Sequence, residues 1–117
     1  MLVVRVEHED GRVVCERCAV ADNPLTRMKG LLGRSELPPG EGLLLRPGTL
    51  IDTHFMRFPI DAVFVDDELR VLEVTATMKP WRIKSRRGAR AVIELAAGEC
   101  ERRAVRPGDR LTAVDAA

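Results

Sequence analysis

The chain has 117 residues, of which 45% are hydrophobic and 32% charged, and its formal net charge is +1. This length fits one domain, so we expect a single domain over residues 1–117 that buries its core without a disulfide or metal. The composition excludes disordered, collagen-like and membrane-bundle proteins. The near balance of charges gives no strong field to steer the chain toward nucleic acid or acidic membranes.

The N-terminal sequence and the cysteines indicate a cytoplasmic location. Charged residues interrupt Met1–His8 too early for a secretory signal. No apolar run approaches the roughly 18 residues of a spanning helix, so we expect no membrane contact. The three cysteines are an odd number, which argues against a secreted disulfide framework.

The first predicted unit is a β-hairpin. Two valine-rich segments, Leu2–Glu7 and Arg12–Ala21, flank Asp10-Gly11, a dipeptide that favours a tight turn. Cys15 and Cys18 lie in the second segment, and side chains three residues apart on a strand point to opposite faces. We therefore interpret them as ordinary strand cysteines rather than as a metal or redox pair.

A helix is predicted next. Asp22 or Asn23 can cap it, Pro24 suits its first turn, and Gly33 is a plausible end. Apolar residues recur at helical spacing at Leu25, Met28, Leu31 and Leu32.

Short strands follow a Pro- and Gly-rich loop over Ser35–Gly42. The predicted strands are Leu43–Leu45, Thr49–Thr53, Pro59–Val65, Leu69–Ala76, Ala89–Leu95 and Arg110–Val114. A last short helix is expected within Ala97–Ala104. Many short strands with one or two short helices predict a β-rich α+β fold, a small curled sheet or barrel.

The central segment concentrates ionisable residues in apolar sequence: His54, Arg57 and Asp61 lie among all three phenylalanines. The strand that carries Asp61 is apolar on both faces, so its carboxylate is expected to be buried and stabilised by Arg57, His54 or backbone amides. Two roles stay open for Asp61. It is either a ligand-binding or catalytic carboxylate, or a structural one that ties two loops together.

A His54–Asp61 pair would be able to act as a general base. A hairpin centred on Arg57-Phe58 would set the two residues opposite each other, but Pro59 interrupts such a ladder, so tertiary folding would have to join them. A metal centre needs three or more ligands and the chain has two histidines. We expect no metal and no cofactor.

The most basic part of the chain is Lys79–Arg90, which has six cations among twelve residues and the single tryptophan, Trp81. Aromatic and basic residues together can stack bases and neutralise phosphates. The segment is short and the whole chain is nearly neutral, so we do not expect nucleic-acid binding. Recognition of a smaller phosphate or carboxylate by Arg82, Arg86 or Arg87 stays open beside solvated arginines and a Trp81 that caps the core.

Several motifs occur in a fixed order along the chain. They are Arg27-x-x-Gly30-Leu31-x-x-Arg34, Glu41-Gly-Leu-Leu-Leu, Ile51-Asp-Thr-His-Phe-Met-Arg-Phe-Pro-Ile-Asp-Ala-Val-Phe-Val-Asp, Val92-Ile-Glu-Leu-Ala-Ala-Gly and Val105-Arg-Pro-Gly-Asp-Arg. Together they resemble the prokaryotic domain-of-unknown-function family 192, also called uncharacterised protein family 0127. The resemblance implies a small β-rich domain with a short helix, and no established activity, cofactor or catalytic residue. Many members carry an N-terminal export signal, which is not visible here.

The resemblance also marks polar positions of this chain: Arg27, Arg34, His54, Met56, Arg57, Asp61, Glu94 and Asp109. On the predicted helix, Arg27 and Arg34 share a face and would clamp an anion or pair with nearby glutamates. Glu94 alternates with apolar neighbours, so its simplest interpretation is a solvated strand face. Asp109 can fold a turn through an Asx-type hydrogen bond.

Our leading hypothesis is a non-enzymatic binding or accessory module for a small polar or anionic ligand. The candidate binding residues are His54, Arg57, Asp61, Arg27, Arg34, Met56, Trp81 and Glu94. One alternative is a hydrolase-like enzyme that uses His54 and Asp61 as base and acid. The other is a structural or protein-interaction domain in which the same residues lock loops together.

Overall fold

The computed structural model describes residues 2–116, except for the side chain of Met28. Within that range the elements are, in order, β1 (Val3–His8), β2 (Val13–Ala21), α1 (Pro24–Lys29), β3 (Glu41–Leu45), β4 (Leu50–Asp52), β5 (Ile60–Val65), β6 (Val71–Met78), β7 (Ile83–Ser85), β8 (Ala91–Ala96), α2 (Glu99–Arg102) and β9 (Leu111–Asp115). This confirms the predicted β-rich α+β fold with two short helices.

Seven of these strands form one curled sheet in the order β6-β5-β8-β3-β2-β1-β9, and β4 pairs separately with β7. Neighbours are antiparallel except β2 and β3, which are parallel. The two edge strands meet at one end, where the N–H of Val71 donates to the carbonyl oxygen of Asp109 at 2.8 Å and that of Leu111 donates to Leu69 at 3.0 Å. The sheet is therefore a partly closed barrel, as predicted.

The curled sheet buries apolar side chains on both faces. Its inner face holds a cluster to which all seven strands contribute, with Val6, Val63 and Ile93 fully buried. Its outer face carries a second cluster, in which Phe64 of β5 and Val92 of β8 lie beneath residues of the connecting segments. This second cluster is the layer in which the site described below is set.

The helix α1 is shorter than predicted. Asn23 caps it, because its side chain accepts from the N–H of Thr26 at 2.9 Å, and Gly30 at φ 47° ends it instead of Gly33. Leu25 is 77% exposed, while Leu31 is buried beyond the end of the helix; the side chain of Met28 lies outside the described part of the chain. In residues 2–116 neither helix is long and apolar enough to cross a membrane.

Cys15 and Cys18 point to the same face, so the prediction that they face opposite ways is wrong. Val4 pairs with Cys18 and Val6 with Cys15, which leaves β2 one residue longer than β1 over this stretch. Such a β-bulge shifts the alternation, and both thiols lie in the inner cluster. The Cys15 thiol donates to the carbonyl oxygen of Gly40 at 3.4 Å, and the adjacent Cys18 side chain lowers the pKa of Cys15.

Candidate functional site

A cavity of about 540 Å³ opens on the outer face of the sheet. Its walls come from α1 and the turn after it, from residues 45–49, from β4 and from residues 54–56. The ionisable side chains that line it are Arg27, Lys29, Asp52, His54 and Glu94. This volume suits a small organic molecule.

Glu94 is the one member of that set that belongs to the main sheet. It lies in β8 between Leu43 of β3 and Ala62 of β5. Glu94 is 5% exposed, and its Oε2 has no hydrogen-bond partner among the described residues. Glu94 is therefore a cavity-lining residue whose Oε2 the described protein atoms leave unsatisfied.

Burial raises the pKa of Glu94 from 4.5 to about 7, because the charged form loses its hydration. The interpretation of a solvated face is therefore wrong at this position. Every residue of β8 is buried, since covering segments hide the outer face of the sheet as well as the inner one. A carboxyl group that titrates near neutrality in a cavity is typical of functional sites.

Two cations line the helical side of the same cavity. The Arg27 guanidinium donates to the carbonyl oxygens of Asp22 and Arg46, both at 3.4 Å, and these long hydrogen bonds hold it at the wall. Lys29 follows on the last turn of α1. Arg27, Lys29 and Glu94 therefore line one cavity, and neither cation forms a hydrogen bond with Glu94 Oε2.

His54 is oriented by Asp52, not by Asp61. Its Nδ1 lies 2.6 Å from Asp52 Oδ1, and the same oxygen accepts the backbone N–H of His54 at 2.9 Å. These two bonds hold the pKa of Asp52 below its usual value. They also place a proton on Nδ1, so the neutral imidazole keeps Nε2 as an acceptor.

Thr53, which is fully buried, joins the two loops that we call the mouth of the cavity: residues 53–56, three of which line the cavity, and residues 79–82. Its hydroxyl donates to the carbonyl oxygen of Lys79 at 2.7 Å and accepts the N–H of Arg82 at 2.9 Å. Its carbonyl oxygen accepts the N–H groups of Met56 and Trp81, both at 3.1 Å. The loop that carries His54 is thereby fixed against the loop that carries Trp81.

The two loops present exposed aromatic rings. Phe55 is 71% exposed and Trp81 is 55% exposed, so Trp81 does not cap the core. Their ring centroids are 4.8 Å apart, and Trp81 meets the His54 ring edge-on at 5.3 Å. Phe55 and Trp81 both have φ of 67°, a left-handed conformation that costs a side chain about 1–3 kcal/mol and concentrates at functional sites.

Asp61 lies away from the cavity and from His54. It is fully buried, and its carboxylate accepts the N–H groups of Thr77 at 2.8 Å, Gly98 at 3.1 Å and Cys100 at 3.0 Å. The sequence predicted Arg57, His54 or backbone amides as partners of the Asp61 carboxylate, and the structure shows backbone amides. Asp61 thus ties β6 and the start of α2 to β5.

The other predicted residues divide between the cavity and the surface. Met56 lines the cavity and is buried, whereas Arg57 is exposed and does not line it. Arg34 lies beyond the end of α1, so it does not share a helix face with Arg27, and it pairs with Glu41 at 3.2 Å.

Part of the basic segment is engaged in ion pairs. Lys84 and Arg86 lie 3.0 and 3.2 Å from the Glu73 carboxylate, which links β7 and the turn after it to β6. Arg82 donates to the carbonyl oxygen of Trp81 at 3.3 Å. Anion recognition by this segment stays a prediction.

The sequence interpretation did not mark Asp52 and Thr53 as candidate site residues. Asp52 had a local signal, because an aspartate two residues before its N–H partner is typical of an Asx-turn. Thr53 had none, since its hydroxyl partners are 26 and 29 residues away in sequence.

These features define a class of small β-rich protein with a curled sheet and a lined cavity on its outer face. The DUF192 family model, described as "Uncharacterized ACR", matches residues 4–113. A UPF0127 protein of Pyrococcus abyssi is 34% identical over 99 residues, which cover 79% of this chain and 81% of that protein. The chain belongs to the DUF192, or UPF0127, family, which confirms the resemblance seen in its motifs.

Two crystal structures show the same fold. A Sinorhizobium meliloti 1021 protein, described provisionally as a transcription regulator, has a TM-score of 0.83 at 27% identity, with 96% of this chain and 92% of that chain covered. A protein of unknown function from Novosphingobium aromaticivorans DSM 12444 has a TM-score of 0.80 at 27% identity, with coverages of 94% and 83%.

Proposed function

We propose that this chain is a non-enzymatic binding or accessory module whose cavity holds a small polar or anionic ligand. The observation that carries the proposal is Glu94, a cavity-lining residue whose Oε2 is buried with no partner among the described residues. A buried polar group left unsatisfied costs about 1–3 kcal/mol. A ligand that reaches the Glu94 carboxyl group and donates to it would recover that free energy on binding.

The rest of the lining supports the same function. Arg27 and Lys29 give one wall a positive charge that favours an anionic group, while Ile51 and Met56 offer buried apolar surface to a carbon skeleton. Small-molecule sites commonly combine a mostly apolar lining with a few oriented polar groups.

The mouth is held rigid in a way that suits binding. Thr53 fixes two loops, and Phe55 and Trp81 keep a strained backbone beside the opening. A site that is already ordered loses less conformational freedom when a ligand enters. In this proposal Arg27, His54 and Glu94 contact the ligand, while Asp61 supports the fold.

The test is a thermal-shift screen of metabolites and anions on the wild type and on Glu94→Gln. Because Trp81 is the single tryptophan and lies beside the mouth, its emission provides an independent binding signal. We expect at least one compound to shift the melting temperature of the wild type and to lose that effect in Glu94→Gln. Glu41→Gln, which changes a surface carboxylate outside the cavity, should retain it.

Two results would contradict the proposal. One is a screen without any shift, which would favour the structural or protein-interaction alternative. The other is a set of shifts that Glu94→Gln leaves unchanged, which would place binding elsewhere on the molecule.

A hydrolase-like enzyme is the second candidate, and a specific observation favours it. The Asp52–His54 pair lines the same cavity as Glu94, so an oriented imidazole and a carboxyl group share one site. Such a pair can supply general acid and base groups. This candidate predicts turnover in a broad hydrolase screen that His54→Ala abolishes, and absence of turnover would reject it.

A further inference from the structure

Resting on the proposed function, we infer that the ligand is an amino-carboxylate, with a primary ammonium group at Glu94 and a carboxylate at Arg27 and Lys29. The basis is the arrangement of opposite charges in one cavity. The carboxyl group belongs to the sheet, and the two cations belong to α1 on another wall.

The protein does not neutralise the Glu94 carboxyl group with its own cations. Oε2 has no partner among residues 2–116, even though Arg27 and Lys29 line the same cavity. Arg27 is instead held by the carbonyl oxygens of Asp22 and Arg46 at 3.4 Å, long hydrogen bonds that leave guanidinium N–H groups for an acceptor. A molecule with a positive and a negative end would satisfy both walls at once.

The chemistry of each wall selects the end that it binds. A carboxylate beside a guanidinium forms a charge-assisted, often bidentate, hydrogen-bonded pair. An ammonium group has three donors, and ionised Glu94 accepts from them. A ligand with only a carboxylate would meet Glu94 with no donor of its own, and a ligand with only an ammonium would leave the cationic wall unmatched.

The lining between the charges favours a short carbon skeleton. Leu45, Ile51 and Met56 line the cavity, and the last two are buried. Burying methylene groups there tightens binding about fourfold for each group. The inferred ligand is therefore amphoteric at its ends and apolar in its middle.

Whether ligand affinity rises or falls with pH distinguishes an ammonium group from an anionic group at Glu94. Four other ionisable side chains line the cavity: Arg27, Lys29, Asp52 and His54. Leu43 and Ala62 flank Glu94 on the neighbouring strands. The negative charge of Glu94 contributes to a raised pKa of the Cys18 thiol. Since the free carboxyl group titrates at about 7, an ammonium ligand must displace its proton at lower pH. Affinity for such a ligand then rises with pH up to neutrality and levels off above it.

The experiment measures the binding of ε-aminocaproate and of shorter unbranched amino acids by Trp81 emission and calorimetry. n-Hexylamine and hexanoate each lack one charged end and serve as matched probes. The variants are Glu94→Gln and Arg27→Gln. Arg34→Gln is the control, because Arg34 pairs with Glu41 outside the cavity.

We expect the best amino acid of the series to bind at least about tenfold more tightly than either single-ended probe. Glu94→Gln should remove its advantage over hexanoate, and Arg27→Gln its advantage over hexylamine. Arg34→Gln should bind like the wild type. The rise in affinity with pH should vanish in Glu94→Gln, and a slope that persists there would contradict the placement of the ammonium group at Glu94.

Two outcomes would overturn the inference. If hexanoate binds as tightly as the amino acids, with an affinity that falls as pH rises, the cavity is an anion site, and the proposed function stands without this ligand class. If no probe binds at ~10 mM, the ligand class is wrong. The metabolite screen then decides the proposed function on its own.

Discussion

Two buried carboxylates on neighbouring strands differ in how the protein surrounds them. Asp61 of β5 accepts three backbone N–H groups, which come from the end of β6 and from the start of α2. Glu94 of β8 lines a cavity, its Oε2 has no partner in the described part of the chain, and burial raises its pKa to about 7. The two sites lie in one sheet, since β5 and β8 are adjacent.

The difference separates a buried carboxylate that stabilises the fold from one that weakens it. The Asp61 carboxylate contributes to folding because the backbone satisfies its charge. The Glu94 carboxyl group costs stability in the empty protein, since its ionised form is desolvated without compensation. A group that weakens the fold in this way offers an unused interaction to a ligand.

The largest expected effect comes from Asp61→Asn, which tests the structural side of the comparison. The asparagine side chain would place its own N–H donors against the backbone N–H groups that now donate to the Asp61 carboxylate. Water cannot satisfy these groups, because the position is not exposed. We expect the free energy of unfolding to fall by about 3 kcal/mol or more, measured by urea denaturation.

Asp66→Asn is the control for that variant. Asp66 also accepts two backbone N–H groups, from Glu68 and Arg70, but it does so in a turn that water reaches. Its loss should be about 1 kcal/mol. Equal losses of stability for the two variants would contradict the claim that burial makes the Asp61 hydrogen bonds more important than those of Asp66.

Glu94→Gln has the next largest expected effect, which is a change in how the stability of the fold depends on pH. The unfolded carboxyl group has a pKa near 4.5 and the folded one near 7, so between these values the folded state holds a proton that the unfolded state has lost. The stability of the wild type should therefore fall as pH rises through this window, by up to about 3 kcal/mol.

The Glu94→Gln variant should lack this component and exceed the wild type in stability above neutral pH. Urea denaturation of both proteins at a series of pH values gives the difference directly, because the other titrating groups are shared. A difference that stays constant across the window would mean that Glu94 is solvated or paired.

Thr53→Val tests whether hydrogen bonds of the buried Thr53 hydroxyl hold the two loops of the cavity mouth together, as those of Asp61 hold β6 and α2 to β5. Valine keeps the shape but loses the hydroxyl that bonds Lys79 and Arg82. We expect a loss of about 2 kcal/mol and a change in Trp81 emission, since the loop that carries Trp81 is released. Thr49→Val, at an exposed cavity position, should change neither.

The smallest expected effect is that of Glu73→Gln. Glu73 extends the comparison to a carboxylate that forms ion pairs near the surface. The hydrogen bond from Lys84, with a further one from Arg86, lowers the pKa of Glu73. Pairs of this kind contribute less than about 1 kcal/mol and are weakened by salt. Denaturation at low and high ionic strength should show a small loss that salt removes, and a loss like that of Asp61→Asn would contradict this ranking.

Local signals predicted most of the fold. Asp10-Gly11 marked the first hairpin, and valine-rich runs marked the buried strands, because turn residues and apolar patterns act over a few positions. The strand Ile83–Ser85 was not predicted, since it is a short exposed segment that pairs only with β4. The end of α1 was misplaced because Gly30 already stops the helix.

The candidate site was less predictable, because long-range packing decides it. The apolar pattern of its strand predicted that Asp61 is buried, but not which backbone groups reach it from 16 to 39 residues away. Glu94 alternates with apolar neighbours as a solvated residue would. That pattern cannot reveal that segments far away in sequence cover the outer face of the sheet.

The most direct test of the central claim is a ¹³C NMR titration of the Glu94 side-chain carboxyl group, assigned by its absence from Glu94→Gln. We predict a midpoint near pH 7 in the ligand-free protein, in keeping with a buried carboxyl group that the protein leaves without a partner. A midpoint near 4.5, the ordinary value for glutamate, would show a solvated or paired group and would contradict the account.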